Sequence, residues 1–366
     1  MKNRKNINNS INKILIIRLS SIGDIVLSTH LIRNLRIAFP LAQIDFICFS
    51  EYQDILIENK RLTNLHTISK IFLKKGNRTE IKEYLSKHNI SNYDIIIDLH
   101  KNKYSRKISN SISKISSNSN LLIYKVNKLR LHKLSLVLFK KPLKKDFQIP
   151  DIYFDAVSDL GLKDDGKGLE VWLPNESEYL INPHTEKENN KFKIAVAPGA
   201  AHFTKRYSKE KFREILHFIN ENYNMQFILL GGKNDVDICN YLENTIHNNI
   251  INYCAKTSLL QTTQILNDCD LLITNDTGIM HIAAARQIPT VAIFGSSVTE
   301  LGFSPFRSPN KIIEREIWCR PCSHIGRESC PLGHFKCMNE IEPNEIIQAV
   351  LSFLNRNNQN SKKQLQ

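Results

Sequence analysis

The chain has 366 residues, 42% hydrophobic and 23% charged, with a formal net charge of +14 and a pI near 9.3. That length exceeds one ordinary core and suits two domains, and the basic balance calls for an anionic partner: nucleic acid, a phosphorylated substrate or an acidic membrane face. No apolar run is long enough for a signal segment or a membrane span, and eight unevenly spread cysteines do not make a secreted disulfide framework, so a cytoplasmic protein is expected.

Lys13 to Arg18 reads as a buried first strand, followed by the turn Leu19-Ser20-Ser21-Ile22-Gly23-Asp24 and an amphipathic helix from about Ile25 to Phe39. Gly23 permits the tight turn. Asp24 sits where a βα loop leaves the carboxyl edge of a sheet, the usual place for ligand contacts in open α/β folds. An aspartate there reads either as a helix cap or as a general base. Ile44 to Phe49 forms the second strand and Tyr93 to Leu99 the next clear one, with a helix around Glu80 to His88 between them. Alternating strands and helices predict a doubly wound parallel sheet, with Asp98, Leu99 and His100 at its ligand-facing edge. From Lys101 to Lys145 the chain is rich in lysine and arginine, Lys101 and Arg106 among them, and holds no acidic residue. Such a run needs an anion or open solvent: it is a surface for a phosphorylated, membrane-held acceptor, or a solvated face. Stacking rings are scarce, Tyr104 and Tyr124 standing nearly alone, which argues against a single-stranded nucleic-acid platform.

Around Asn182 to Lys191 the chain turns polar, and an interdomain linker is expected there. A second sheet starts with Phe192 to Ala197 and breaks at Pro198-Gly199-Ala200. Lys205 and Arg206 follow on the loop, and Ser208 caps a helix from Lys209 to Asn222. Two adjacent cations on a βα loop suit a diphosphate, or make a simple solvated pair. Gln226 to Leu230 is the next strand, ending at Gly231-Gly232, where Asp235 or Asp237 could reach a ribose although the full glycine-rich fingerprint is missing. Asp268-Cys269-Asp270 resembles a metal-holding Asp-x-Asp pair but precedes the next strand, at the edge away from the ligand turn, and reads as structural. Leu271 to Ile273 and Thr290 to Phe294 are buried strands bracketing Asn275-Asp276-Thr277-Gly278 and a helix that carries Ile279 and His281. Gly278 allows close backbone approach, and the first-turn N–H groups favour an anion; the plainer reading is a capped helix with a core histidine. Cys319, Cys322, Cys330 and Cys337 have a spacing that accepts a structural zinc or simply packs as reduced thiols, with His324 and His334 among them.

Taken together, Arg18 to Asp24, Pro198-Gly199-Ala200 with Lys205-Arg206-Tyr207-Ser208, Asn275 to His281 and the cysteine segment resemble the bacterial heptosyltransferases of glycosyltransferase family 9, in order and spacing along nearly the whole chain. The resemblance implies a GT-B fold, two Rossmann-like doubly wound domains facing a central cleft. Its expected division is an acceptor-binding domain over 1–185, a nucleotide-sugar domain over 190–342, a helix over 343–355 crossing back to the first domain, and a disordered tail over 356–366. It implies an inverting, metal-independent transfer of heptose from ADP-heptose to the lipopolysaccharide inner core on lipid A. No cofactor is required, the enzyme touches the cytoplasmic face of the inner membrane, and no nucleic acid is involved. Asp24 falls on the catalytic base and Lys205 on the phosphate-binding lysine. Arg206, Gly231, Asp276, Thr277, Gly278, Ile279 and His281 are expected on the nucleotide sugar, and Ser21, Gly23, His100, Lys101 and Arg106 on the acceptor. Tyr207 and Ser208 depart from the commoner tryptophan and proline. The competing readings are a same-fold transferase with another donor or acceptor, and a non-catalytic protein that binds sugar nucleotide or lipopolysaccharide.

Overall fold

A computed structural model of the chain describes residues 11–144, 147–175, 191–246 and 248–363, with side chains to residue 355. It falls into two compact units, one reaching Leu129 and taking in Phe147–Trp172, the other made of the 130–146 segment and the chain from Leu173 onward. Most of the linker expected around Asn182 to Lys191 lies outside the described residues.

The first unit contains β1 (Lys13–Ile17), α1 (Ile22–Leu27), α2 (Thr29–Ala38), β2 (Gln43–Phe49), β3 (Asn64–Ile68), α3 (Lys70–Lys75), α4 (Arg78–Lys87), β4 (Ile95–Asp98), α5 (Lys103–Ile115) and β5 (Leu122–Lys125). After α6 (Arg130–Phe139), which belongs to the second unit, α7 (Ile149–Asp155) completes it. The five strands run parallel in the order β3-β2-β1-β4-β5. Ile14, Leu15, Ile16 and Ile17 are fully buried, which is why β1 is a continuous apolar run instead of an alternating one. The single helix expected over 25–39 is two. At the break, the Ser28 hydroxyl donates to the Ile25 carbonyl and the Thr29 hydroxyl to the Val26 carbonyl, both at 2.6 Å, and local bonding of this kind competes with the helical ladder.

The second unit adds β6 (Phe192–Ala197), α8 (Lys209–Asn222), β7 (Met225–Leu229), α9 (Val236–Thr245), β8 (Ile250–Asn252), α10 (Leu259–Asn267), β9 (Leu271–Asn275), α11 (Gly278–Ala285), β10 (Thr290–Phe294), β11 (Asn310–Glu314), α12 (Lys336–Asn339) and α13 (Pro343–Lys363). Its six parallel strands are ordered β11-β10-β9-β6-β7-β8. The 130–146 segment joins this unit because Leu136 on α6 buries against Val298 and Leu301, and His132 Nε2 meets the Glu300 carbonyl at 3.0 Å. The helix expected to cross back to the first domain places Ile346, Ile347, Ala349, Val350 and Phe353 in the second unit's own core. It also runs on to Lys363, through most of the stretch expected as a tail; residues 364–366 lie outside the described residues.

In both sheets the strand order reverses once, between β1 and β4 and between β6 and β9. Loops leaving the carboxyl ends of such neighbouring strands diverge in opposite directions and leave a crevice, the site where open α/β sheets bind ligands. The turn at 18–24 and the loop at 99–102 occupy that position in the first unit; 198–208 and 276–278 occupy it in the second.

Candidate functional site

At the first crevice, Asp24 and Arg18 form an ion pair, Arg18 Nη2 to Asp24 Oδ1 at 2.6 Å, with side chains only 19% and 13% exposed. Arg18 Nη1 also donates to the Leu99 carbonyl at 2.7 Å, so the guanidinium spans the ends of β1 and β4. Ser21 holds the other carboxylate oxygen from its hydroxyl at 2.9 Å and its amide at 3.3 Å, and the Tyr153 hydroxyl on α7 stands 3.3 Å from Oδ1. Burial alone pushes the Asp24 carboxyl up, but the Arg18 charge and the Ser21 hydrogen bonds outweigh it and hold it below the usual carboxylate range. Asp24 is therefore both the capping-box partner of α1 and an ionised carboxylate at the crevice.

His100 accepts the Leu19 N–H on Nδ1 at 3.2 Å. Burial and then the Arg18 charge pull its pKa down to about 3, so it is neutral near pH 7. Gly23 lies buried inside α1. Lys101 and Arg106 do not face Asp24 through any described contact: the Lys101 amide donates to Asp98 Oδ1 at 2.7 Å, and Arg106 Nε to the Asn102 carbonyl at 3.3 Å. Asp98 also accepts the His100 amide and the Ser105 hydroxyl, so it organises the backbone of its loop.

At the second crevice, Lys205 Nζ and Asp276 Oδ2 stand 2.6 Å apart, 17% and 8% exposed. The Ser297 hydroxyl donates to the same oxygen at 2.7 Å. Burial again raises the carboxyl, and Lys205 overrides it, so Asp276 is ionised; His281, 3% exposed one turn into α11, favours the same state. Asn275 ties the two loops together, donating to the Pro198 carbonyl at 2.7 Å and accepting the Tyr207 amide at 3.3 Å. Thr277 takes the N-cap position of α11 without a side-chain cap bond, and Thr277, Gly278 and Ile279 are all half-buried. The first-turn N–H groups have no partner within the helix and carry the positive end of its dipole beside Lys205 and Asp276.

Arg206 points elsewhere, its Nε donating to the Ala200 carbonyl at 2.8 Å. Gly231 packs tightly: a Cβ there would stand 2.9 Å from both Asp235 Cβ and Cys254 Sγ. Asp235 also closes on the preceding loop, because a Cβ on Gly199 would fall 2.0 Å from its Oδ1. Asp270 accepts the Lys193 amide at 2.8 Å at the start of β6, the structural role its position suggested.

The cysteine segment buttresses the Lys205 loop. Thr204 accepts hydrogen bonds from Ser296 and from the Arg327 amide, and Gly326, at φ +123°, lies against His202. Arg320 Nη2 donates to the Ser297 carbonyl at 2.6 Å, so its hold continues through Ser297 to Asp276. Cys319, Cys322, Cys330, Cys337 and His334 all line one cavity, with Cys319 Sγ 3.8 Å from His334 Nε2. A tetrahedral zinc holds its ligand atoms about 3.8 Å apart on every edge. Among the described residues, three such atoms come within 4.8 Å of one another only at His30, Asp164 and Asp165, where Arg33 already supplies the positive charge at 2.6 Å. The four thiols therefore do not assemble a tetrahedral set in this arrangement, and burial pushes Cys322 up and Cys337 up to about 11, as for packed neutral thiols.

Residues 167–332 match the model of glycosyltransferase family 9 (heptosyltransferase). The chain belongs to glycosyltransferase family 9. It is 30% identical over 218 residues to lipooligosaccharide heptosyltransferase 2 of Campylobacter jejuni, an alignment covering 58% of this chain and 66% of that relative. Among solved structures it resembles a glycosyl transferase family 9 protein from Veillonella parvula (TM-score 0.73, 20% identity, 94% of this chain and 97% of that one). It also resembles the ADP-heptose lipopolysaccharide heptosyltransferase II of E. coli (TM-score 0.72, 20% identity, 94% and 99%). At that identity the structural likeness speaks for the fold, which is the expected GT-B class of two parallel-sheet α/β units.

The structure brings Ser21 to Asp24 and Lys205 to Asp276, residues that the family-9 motifs singled out for separate roles. Arg18, Tyr153, Ser297 and Arg320 were not assigned roles from sequence. Arg18 ends the first strand's apolar run, where a buried charge needs a partner, and that was the available signal.

Proposed function

We propose that the chain transfers heptose from ADP-heptose to the inner core of lipopolysaccharide, with inversion and without a catalytic metal, at the cytoplasmic face of the inner membrane. What supports this most is the complementary chemistry of the two crevices: an ionised, arginine-held carboxylate at one, a lysine beside a helix N-terminus at the other. The relatives' names supply the donor and the acceptor class.

In this reading Asp24 accepts the proton of the acceptor hydroxyl as its oxygen bonds to the anomeric carbon and the bond to the ADP phosphate breaks. Arg18 and Ser21 keep the carboxylate ionised and fixed in orientation; its basicity is modest, but the hydroxyl acidifies as the new bond forms. The departing ADP gains negative charge. Lys205, with three ammonium protons of which Asp276 takes one, and the first turn of α11 receive that charge in place of a metal ion. Asp276 and Ser297 hold Lys205 in place, and Arg320 holds Ser297. In this reading Ser21 and His100 belong to the acceptor side, and Thr277, Gly278, Ile279 and His281 to the nucleotide side. Incubating the protein with ADP-heptose and Kdo-lipid A, in the presence of EDTA, should yield a lipid heavier by one heptose in the mass spectrum. No product with that donor on either Kdo- or heptose-terminated lipid A would refute the assignment.

A further inference from the structure

We infer that α6 and the chain following it to Leu143 are a docking surface for an anionic lipid bilayer. Helix α6 is apolar on two faces. One is used: His132 and Leu136 are each 3% exposed, fixed by the Glu300 carbonyl and by Val298 and Leu301. At 100° per residue, Leu131, Leu134 and Leu138 fall within about 60° of one another, roughly opposite that buried face. They are 76%, 53% and 60% exposed, and Phe139 and Leu143, which follow in the chain, are 67% and 65% exposed. A helix serving only its own core carries charge on that face.

Charge selects the occupant. Arg130 and Lys141, both exposed, accompany the leucines, and no acidic residue lies between 101 and 145. Bare leucines need an apolar medium, while the surrounding cations need anions at its rim; an anionic lipid surface supplies both, and a nucleic acid supplies only the second. Lys140 Nζ donates to the Pro321 carbonyl at 2.9 Å, which brings the 318–325 segment beside the helix. That segment contributes Trp318, 76% exposed, and Ile325, 53% exposed; tryptophan is a residue that settles at the lipid–water boundary. Among the described residues no helix is long and apolar enough to cross a membrane, so this contact lies on the surface of the bilayer.

The inference rests on the reading of the acceptor as a membrane-held saccharide lipid, which the docked helix would bring within reach. Cosedimentation with acceptor-free vesicles of phosphatidylethanolamine and phosphatidylglycerol tests docking apart from transfer. The wild-type protein should partition onto them, more weakly onto phosphatidylcholine and more weakly at high salt. Leu134→Gln/Leu138→Gln should lower partitioning at least tenfold while leaving turnover of a deacylated, water-soluble core acceptor unchanged. Arg130→Glu/Lys141→Glu, which spares the leucines, should also lose it. Wild-type partitioning by the double glutamine variant overturns the inference. So does a wild-type dimer that this variant dissociates, since a second copy would then cover the face. Failure of transfer on the soluble acceptor, with vesicle binding intact, would count against the transferase reading alone.

Discussion

Replacing Lys205 by methionine separates its ion pair with Asp276 from the catalytic role proposed for it. The substitution keeps the stem and removes the ammonium, leaving Asp276, 8% exposed, with Ser297 as its remaining close hydrogen-bond donor. Breaking a buried ion pair from one side costs about 3–5 kcal/mol; Lys205 keeps some access to water, so about 2–3 kcal/mol is expected near pH 7. At ~2–4 °C per kcal/mol for a unit of this size, melting should fall by roughly 4–12 °C. The deficit depends on pH with a defined sign. In the wild type the Asp276 carboxyl is depressed, so its contribution is present above the ordinary carboxylate range and is lost as pH falls through the depressed value. In Lys205→Met burial dominates, the carboxyl titrates above its unfolded value, and the deficit should shrink as pH falls toward 4. Adding Asp276→Asn removes the stranded charge and should restore most of the stability. Turnover should stay down about 10²–10³-fold in both variants, because nothing replaces the cation proposed to meet the leaving group. Thermal melts and steady-state rates on the three proteins check this. A double variant that regains turnover along with stability would show that Lys205 matters only as the partner of Asp276.

Arg18→Met should raise the Asp24 pKa, since burial then acts without its main opponent, and should move the acid limb of the turnover–pH profile upward. His100→Asn keeps an acceptor for the Leu19 amide but removes the titration. Because His100 is depressed to about 3, it favours the fold above the unfolded histidine pKa and loses that contribution as pH falls from about 6.5 toward 3, so the variant's stability should decline less steeply across that window. Gly199→Ala should lower thermal stability by roughly 1–3 kcal/mol and weaken nucleotide binding, because its methyl group displaces the Asp235 carboxylate from the Gly232 amide. Wild-type melting would mean that Asp235 moves aside freely.

The inner strands were legible because parallel sheets covered on both faces demand unbroken apolar runs, and β6, α8 and β10 fall where sequence placed them, whereas the edge strands β3, β5, β8 and β11 are only partly buried and gave no such run. Glycine and serine turns after those runs then located both crevices. What sequence could not give is the partner of a charge. Arg18 reads as an interruption until β4 brings the Leu99 carbonyl to it, and Ser297 reads as a loop serine until β10 pairs with β9. The α6 segment shows the limit most clearly: its basic run was visible, but its membership of the second unit depends on Leu136 meeting Val298 and Leu301, more than 160 residues away. Helix α2 was misjudged at its start because two hydroxyls at Ser28 and Thr29 turn inward on the preceding turn.

That a carboxylate of the first unit and a lysine of the second serve one transfer reaction is tested most directly by Asp24→Asn. The change is nearly isosteric and lies outside the unit proposed to bind the nucleotide. Turnover of ADP-heptose with Kdo-lipid A should fall roughly 10²–10⁴-fold, while ADP affinity, measured by calorimetry, stays within twofold of wild type. Turnover within a few-fold of wild type would contradict the account.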